Sequence, residues 1–84
     1  MTYRITARAD SWVRAENGAP ELRQVITEDL GDGTELVVVV VRSPLDGPAR
    51  VAEARIEQAY ITRTAGWKRW TIQRLQPHEI TLVE

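Results

Sequence analysis

The side chains able to do acid–base or nucleophilic chemistry are few in this sequence, and they are scattered. His78 is the single histidine. It lies between Pro77 and Glu79 in an expected loop, where an exposed, non-catalytic histidine is the plain reading and a general base the functional one. Ser11 and Ser43 are the only serines. No G-x-S-x-G elbow surrounds either, and a Ser-His-acid triad is defined by geometry that spacing alone does not supply. Four carboxylates, Glu28, Asp29, Asp32 and Glu35, flank the tripeptide Gly31-Asp32-Gly33. Carboxylate oxygens are ligands for a divalent cation. Their spacing is not that of an EF-hand loop, so a solvated hairpin tip is expected rather than a metal site. The same four acids form a surface that would meet a basic partner, such as a nucleic-acid-binding protein, by charge complementarity. The tripeptide lacks the following lysine of a phosphate-binding loop. No cysteine is present, which removes disulfides and thiolate metal sites. No cofactor and no catalytic residue are therefore expected.

A second group of residues could do recognition rather than catalysis. The stretch TAGWKRWTIQRL, residues 64–75, sets Trp67 and Trp70 among Lys68, Arg69 and Arg74, with Arg63 just before it. Aromatic side chains beside cations on an exposed sheet stack bases and hold phosphates in single-stranded nucleic-acid modules. An exposed tryptophan with neighbouring arginines is equally the composition of a protein-binding hot spot. The RNP pattern is absent, and a net charge of −1 runs against a surface dominated by phosphate binding. Trp70, beside Ile72, is expected in the core, and Trp67 is the candidate for exposure. The charges are segregated along the chain. Residues 16–35 hold Glu16, Glu21, Glu28, Asp29, Asp32 and Glu35 against Arg23 alone, whereas residues 58–78 hold Arg63, Lys68, Arg69 and Arg74 and no acid.

These groups must be carried by a small fold. A chain of 84 residues is expected to form one domain, residues 1–84, burying roughly 60% of the surface its unfolded form exposes. The longest apolar run, Leu36–Val41, is far short of the ~20 residues of a membrane helix, and no signal peptide is visible at the N-terminus. A cytoplasmic protein without membrane partners is the expectation.

Tyr3, Ile5 and Ala7 alternate with Arg4, Thr6 and Arg8, the pattern of a half-buried strand. Residues 11–16 suit a short strand or turn. Two extended runs, 22–29 and 35–42, joined by Gly31-Asp32-Gly33, predict a β-hairpin. Residues 67–75 and 78–84 alternate as further strands. Between them, Asp46 suits an N-cap, Pro48 a first turn and Gly66 a C-terminal stop. Ala49, Ala52, Ile56, Ala59 and Tyr60 fall on one helical face, so a helix is predicted over about 48–62. The rival is a strand with Ala52, Ala54, Ile56 and Tyr60 on one face, supported by the β-branched Ile61, Thr62 and Thr64. The expected class is α+β: an antiparallel sheet of about five strands with one helix packed on one face.

Five consecutive valines, Val37–Val41, decide what such a sheet needs. A strand with one wet face alternates, and this one does not. Val37, Val39 and Val41 point one way, and Leu36, Val38 and Val40 the other. Both faces need cover: one helix serves one face, and a curled sheet, a second copy in a homodimer or another protein serves the second. The functional expectation that follows is a non-enzymatic protein-binding module acting by surface occupation, through Trp67, Lys68, Arg69, Arg74 and Arg63 and the acids Glu28, Asp29, Asp32 and Glu35. In size and composition it compares with phage-encoded inhibitors of host defence complexes, CRISPR effectors among them. A nucleic-acid-binding domain using residues 63–74 is the alternative.

Overall fold

Strand β4 (Thr34–Arg42) is the centre of the molecule, because its valines fill both sides of one sheet. In the computed structural model, which describes residues 2–14, 21–42 and 54–83, the other strands are β1 (Tyr3–Thr6), β2 (Val13–Arg14), β3 (Leu22–Gly31), β5 (Arg55–Ala65), β6 (Lys68–Arg74) and β7 (Ile80–Val83). Strands β2 to β6 form an antiparallel meander in sequence order. The chain-end strands β1 and β7 pair separately and in parallel, Tyr3 with Ile80 and Ile5 with Leu82. Parallel neighbours need a crossover connection, and here the whole meander supplies it.

The hairpin predicted over 22–29 and 35–42 is present, with β3 and β4 in antiparallel register from Leu22↔Arg42 to Asp29↔Glu35. Its two-residue turn has positive φ at both central positions, 54° at Asp32 and 74° at Gly33. That is the type I′ geometry, whose twist matches the strands it joins, and Asp-Gly is a pair that adopts it readily. A register shift between Asp29 and Gly31, with Gly31 at φ 88°, brings the ladder into line with that turn.

The helix predicted over 48–62 is overturned. Residues 55–65 form strand β5, and residues 43–53 lie outside the described residues, together with the expected cap Asp46 and first-turn Pro48. The three-residue 3₁₀ turn Pro77–Glu79 is the only helical segment among the described residues, which form a five-stranded antiparallel sheet and a small parallel pair rather than an α+β layer with a packed helix. A β-bulge explains the misreading. The β4–β5 register shifts between Val39↔Gln58 and Val40↔Ile56, leaving Glu57 as the extra residue. Directly opposed residues share a face, so Ile56, Ala59 and Ile61 lie together opposite Val40, Val38 and Leu36. The inward residues are thus three apart at 56 and 59, a spacing that imitates one turn of helix. The rival reading, a strand, is right for Arg55–Ala65, but its placing of Ile56 and Tyr60 on one face is not, because the bulge sets Tyr60 opposite Val37 on the other side.

One face of the sheet carries the core. Leu36, Val38, Val40, Ala59 and Ile61 pack against Ile5 and Ile80 of the parallel pair and against Leu75, with Trp12 and Ile26 at the margin. Strands therefore do the work expected of a helix. Gln24, only 4% exposed and level with Val40, ties the segment after β1 to this layer. Its amide nitrogen donates to the Arg8 carbonyl at 2.8 Å, and its carbonyl oxygen accepts from the Arg8 N–H at 2.7 Å. Replacing Gln24 by Ala removes both bonds and opens a gap beneath the segment. We expect a loss of about 1–2 kcal/mol, read by urea denaturation.

The opposite face resolves what covers the second row of valines. Arg23 stands opposite Val41 on β3, and Glu57 lies on β5, so their 2.6 Å ion pair crosses over β4. Arg55 and Glu21, 3.1 Å apart, cross it in the same way. On this face Val41 is completely buried and Val37 is 3% exposed, which leaves Val39 as the half-buried member of the row. Cover of β4 from both sides is thus intramolecular.

Candidate functional site

Most of the residues singled out for recognition gather at one end of the sheet; Arg74, paired with Tyr60, lies away from it. Both hairpin tips lie at this end, because Thr34 pairs with Arg63 and Ala65 pairs with Lys68. The second tip is Gly66-Trp67. Gly66 has φ 62° at the first central position, where a type II′ turn calls for glycine. This places Trp67 at the apex of the β5–β6 wing, 89% exposed. Lys68 stands over its ring, 5.4 Å from the centroid.

Acidic and basic zones that are far apart along the chain meet at this end. The Arg69 guanidinium donates to Glu35 at 2.7 Å, across the intervening strand β5. Arg63 donates to the Asp32 carbonyl at 3.1 Å, and the Thr64 N–H donates to the Gly33 carbonyl at 2.8 Å. Asp29 has a local role: its carboxylate accepts the Gly31 N–H at 2.9 Å and shapes the bulge before the turn. Glu28, Asp29 and Asp32 are exposed. Among the described residues no group of histidines, cysteines and carboxylates is placed to hold a metal ion. Of the four acids, Glu35 meets Arg69 through its carboxylate and Asp32 meets Arg63 through its backbone carbonyl. Asp29 supports its own hairpin, and Glu28, opposite Leu36, lies on the other face of the sheet.

Strand β6 departs from its expected alternation. A register shift at Ile61/Thr62 makes Ile72 an extra residue, so Thr71 pairs with Thr62 and Gln73 with Ile61. Lys68, Trp70 and Gln73 then share one face, and Arg69, Thr71 and Arg74 the other, where strict alternation puts Arg74 with Trp70. Trp70 is not in the core as expected. It is 44% exposed, and Ile72 is 45% exposed. All seven residues of β6 are exposed. The core ends before this strand, since the parallel pair and Leu75 lie against the inner half of the sheet.

On the face opposite the core, Val25, Thr27, Val37, Tyr60, Thr62 and Thr71 line a shallow groove of about 440 Å³, which runs up to Arg69 and Trp70. Val25 is 60% exposed at its side. Sequence reasoning missed this groove. Its lining alternates with core residues on three strands, and only their pairing shows that the positions adjoin.

His78 is exposed in the 3₁₀ turn after Pro77. That turn is closed by the Glu79 carboxylate accepting the Gln76 N–H at 3.0 Å. The Ser11 hydroxyl donates to its neighbour Asp10 at 3.3 Å, and Ser43 lies outside the described residues. Among the described residues no helix is long and apolar enough to cross a membrane. Comparison of the chain with protein-family models, with curated proteins and with solved structures finds no match in any of the three.

Proposed function

We propose that the protein is a non-enzymatic binding module that works by occupying a surface of another protein, with the Trp67–Arg74 wing as its contact. The observation that carries this reading is the state of β6. It is exposed along its whole length and bears Trp70 and Ile72 beside Lys68, Arg69 and Arg74, with Trp67 exposed in the turn that leads into it. Tryptophan and arginine dominate the few residues that supply most of the binding energy at protein interfaces. Exposed large apolar side chains gathered on one strand mark an interaction surface, whereas single ones scattered over a surface do not.

A single-stranded nucleic acid is the less favoured partner. Arg69 is paired with Glu35 and Arg63 with the Asp32 carbonyl, so two of the four cations of residues 63–74 are engaged. A phosphate chain along the wing would also approach Glu35 and Asp32. The narrower reading, an inhibitor of a host defence complex, rests on size and composition alone.

The test is capture from a lysate of the source cell by the immobilised protein and by its Trp67→Ala variant. The wild type is expected to retain a discrete protein after nuclease treatment. Trp67→Ala is expected to retain at least about tenfold less, the loss of about 1.4 kcal/mol or more that marks a hot spot. Its unfolding free energy should stay within about 0.5 kcal/mol of wild type, because the side chain lies at an exposed turn. Equal retention by the variant, or no retained protein, overturns the reading. Loss of the captured protein on nuclease treatment transfers the site to nucleic acid.

A further inference from the structure

We infer that the outer edge of β6 takes up an acidic, extended peptide segment of the partner as an added strand of the sheet. The inference rests on the binding-module reading and specifies its chemistry.

The five-stranded sheet has two edges, β2 and β6. Strand β2 is two residues long, and very short edge strands are one way in which folds deny a template to other chains. Strand β6 is seven residues long and exposed throughout. In a two-residue hairpin the closing pair, here Ala65 and Lys68, exchanges backbone hydrogen bonds, and successive pairs alternate. Arg69 and Thr71 therefore direct their N–H and C=O groups away from β5. These are the groups that an added strand pairs with. The shift at Ile61/Thr62 interrupts the ladder beyond Thr71, so the regular template runs over Lys68–Thr71.

Charge selects the occupant. Strand β6 carries no acid; its Arg69 is already paired with Glu35, so Lys68 and Arg74 are its cations without a carboxylate partner among the described residues. Their complement is a segment that brings a carboxylate to each of these two and, unlike a phosphate chain, need carry none beside Glu35; an apolar residue in that segment would lie against Trp70. Charges on an edge also serve to repel strands. An edge guarded in that way does not present Trp70 and Ile72 at 44% and 45% exposure. A second copy of this chain is the poorer occupant, because its β6 brings no carboxylate to Lys68 and Arg74. Antiparallel pairing about Thr71 sets Lys68 opposite Arg74 twice, and in-register parallel pairing sets each cation beside its own copy. Like charges placed opposite each other destabilise a sheet.

The probe is a short fluorescent peptide of alternating glutamate and valine. It is compared with the same peptide N-methylated at alternate amides and with an alternating lysine–valine peptide. Anisotropy reads binding, and amide hydrogen exchange of the protein reads the site. The acidic peptide is expected to bind, the other two at least about tenfold more weakly, and affinity to fall with added salt. Exchange at Arg69 and Thr71 should slow on binding. Equal binding of the N-methylated peptide, protection elsewhere than β6, or no binding of the acidic peptide overturns strand addition. So does a stronger response to single-stranded oligothymidine. The broader reading is judged separately by Trp67-dependent capture, so failure here is distinguishable from failure there.

Discussion

Leu36→Ala is expected to destabilise the protein by about 2–5 kcal/mol and to lower its melting temperature by about 10–30 °C. Leu36 is fully buried on β4, opposite Ile61 and among the residues of the single core cluster. Truncation removes its transfer free energy and leaves a cavity that flanking strands, held in register on both sides, close only partly. A chain of 84 residues has a total stability on the order of 4–13 kcal/mol, so the loss is a large share of the whole. Urea denaturation followed by far-ultraviolet circular dichroism gives the value. A loss below about 1 kcal/mol would show that Leu36 is not enclosed and that the two layers do not pack as described.

Gly33→Ala is the second large effect, and its origin is the backbone rather than the core. Gly33 has φ 74°, and a Cβ there would lie 2.7 Å from the Thr64 carbonyl oxygen. Strain at positive φ and forced separation of the turn from β5 add together, and we expect a loss of about 2–4 kcal/mol. Gly31→Ala is the control. Gly31 also has positive φ, 88°, but a Cβ would meet nothing within 4 Å. Only the conformational strain then applies, about 1 kcal/mol. The difference between the two variants in urea denaturation isolates the contact between the hairpins. Equal losses would mean that the turn does not rest on β5. Because the Thr64 N–H bonds to the Gly33 carbonyl, Gly33→Ala should also displace the wing and weaken partner capture, whereas Gly31→Ala should leave it intact.

Much of the fold was legible because some local signals have one structural meaning. An unbroken valine run favours a pleated strand with cover on both faces. Asp32-Gly33 between two apolar runs favours a type I′ turn. Gly66 next to Trp67 is a breaker in either reading, and as a hairpin turn it leaves the tryptophan outside. The helix expected over 48–62 is a strand whose single-residue bulge at Glu57 resets the in–out alternation, and Trp70 is outside the core because the core ends before β6. Whether a strand bulges, and how far a core extends, depends on the partners the segment must match. Periodicity in one segment carries no information about those partners.

Residue types and order alone thus establish an extended, doubly covered β4, a hairpin centred on Asp32-Gly33, and a cationic, tryptophan-bearing segment with no acid of its own. Tertiary structure decides that strands rather than a helix close the core, that β1 pairs with β7, and that two arginine–glutamate pairs cross β4 on the face opposite the core. It also decides that the acids of the first hairpin meet the cations of the second. The reason is distance along the chain: Arg23–Glu57, Glu21–Arg55 and Glu35–Arg69 each join residues 34 positions apart, and each crosses an intervening strand. Such contacts exist only once three strands lie side by side, and no local pattern of charge or hydropathy encodes them.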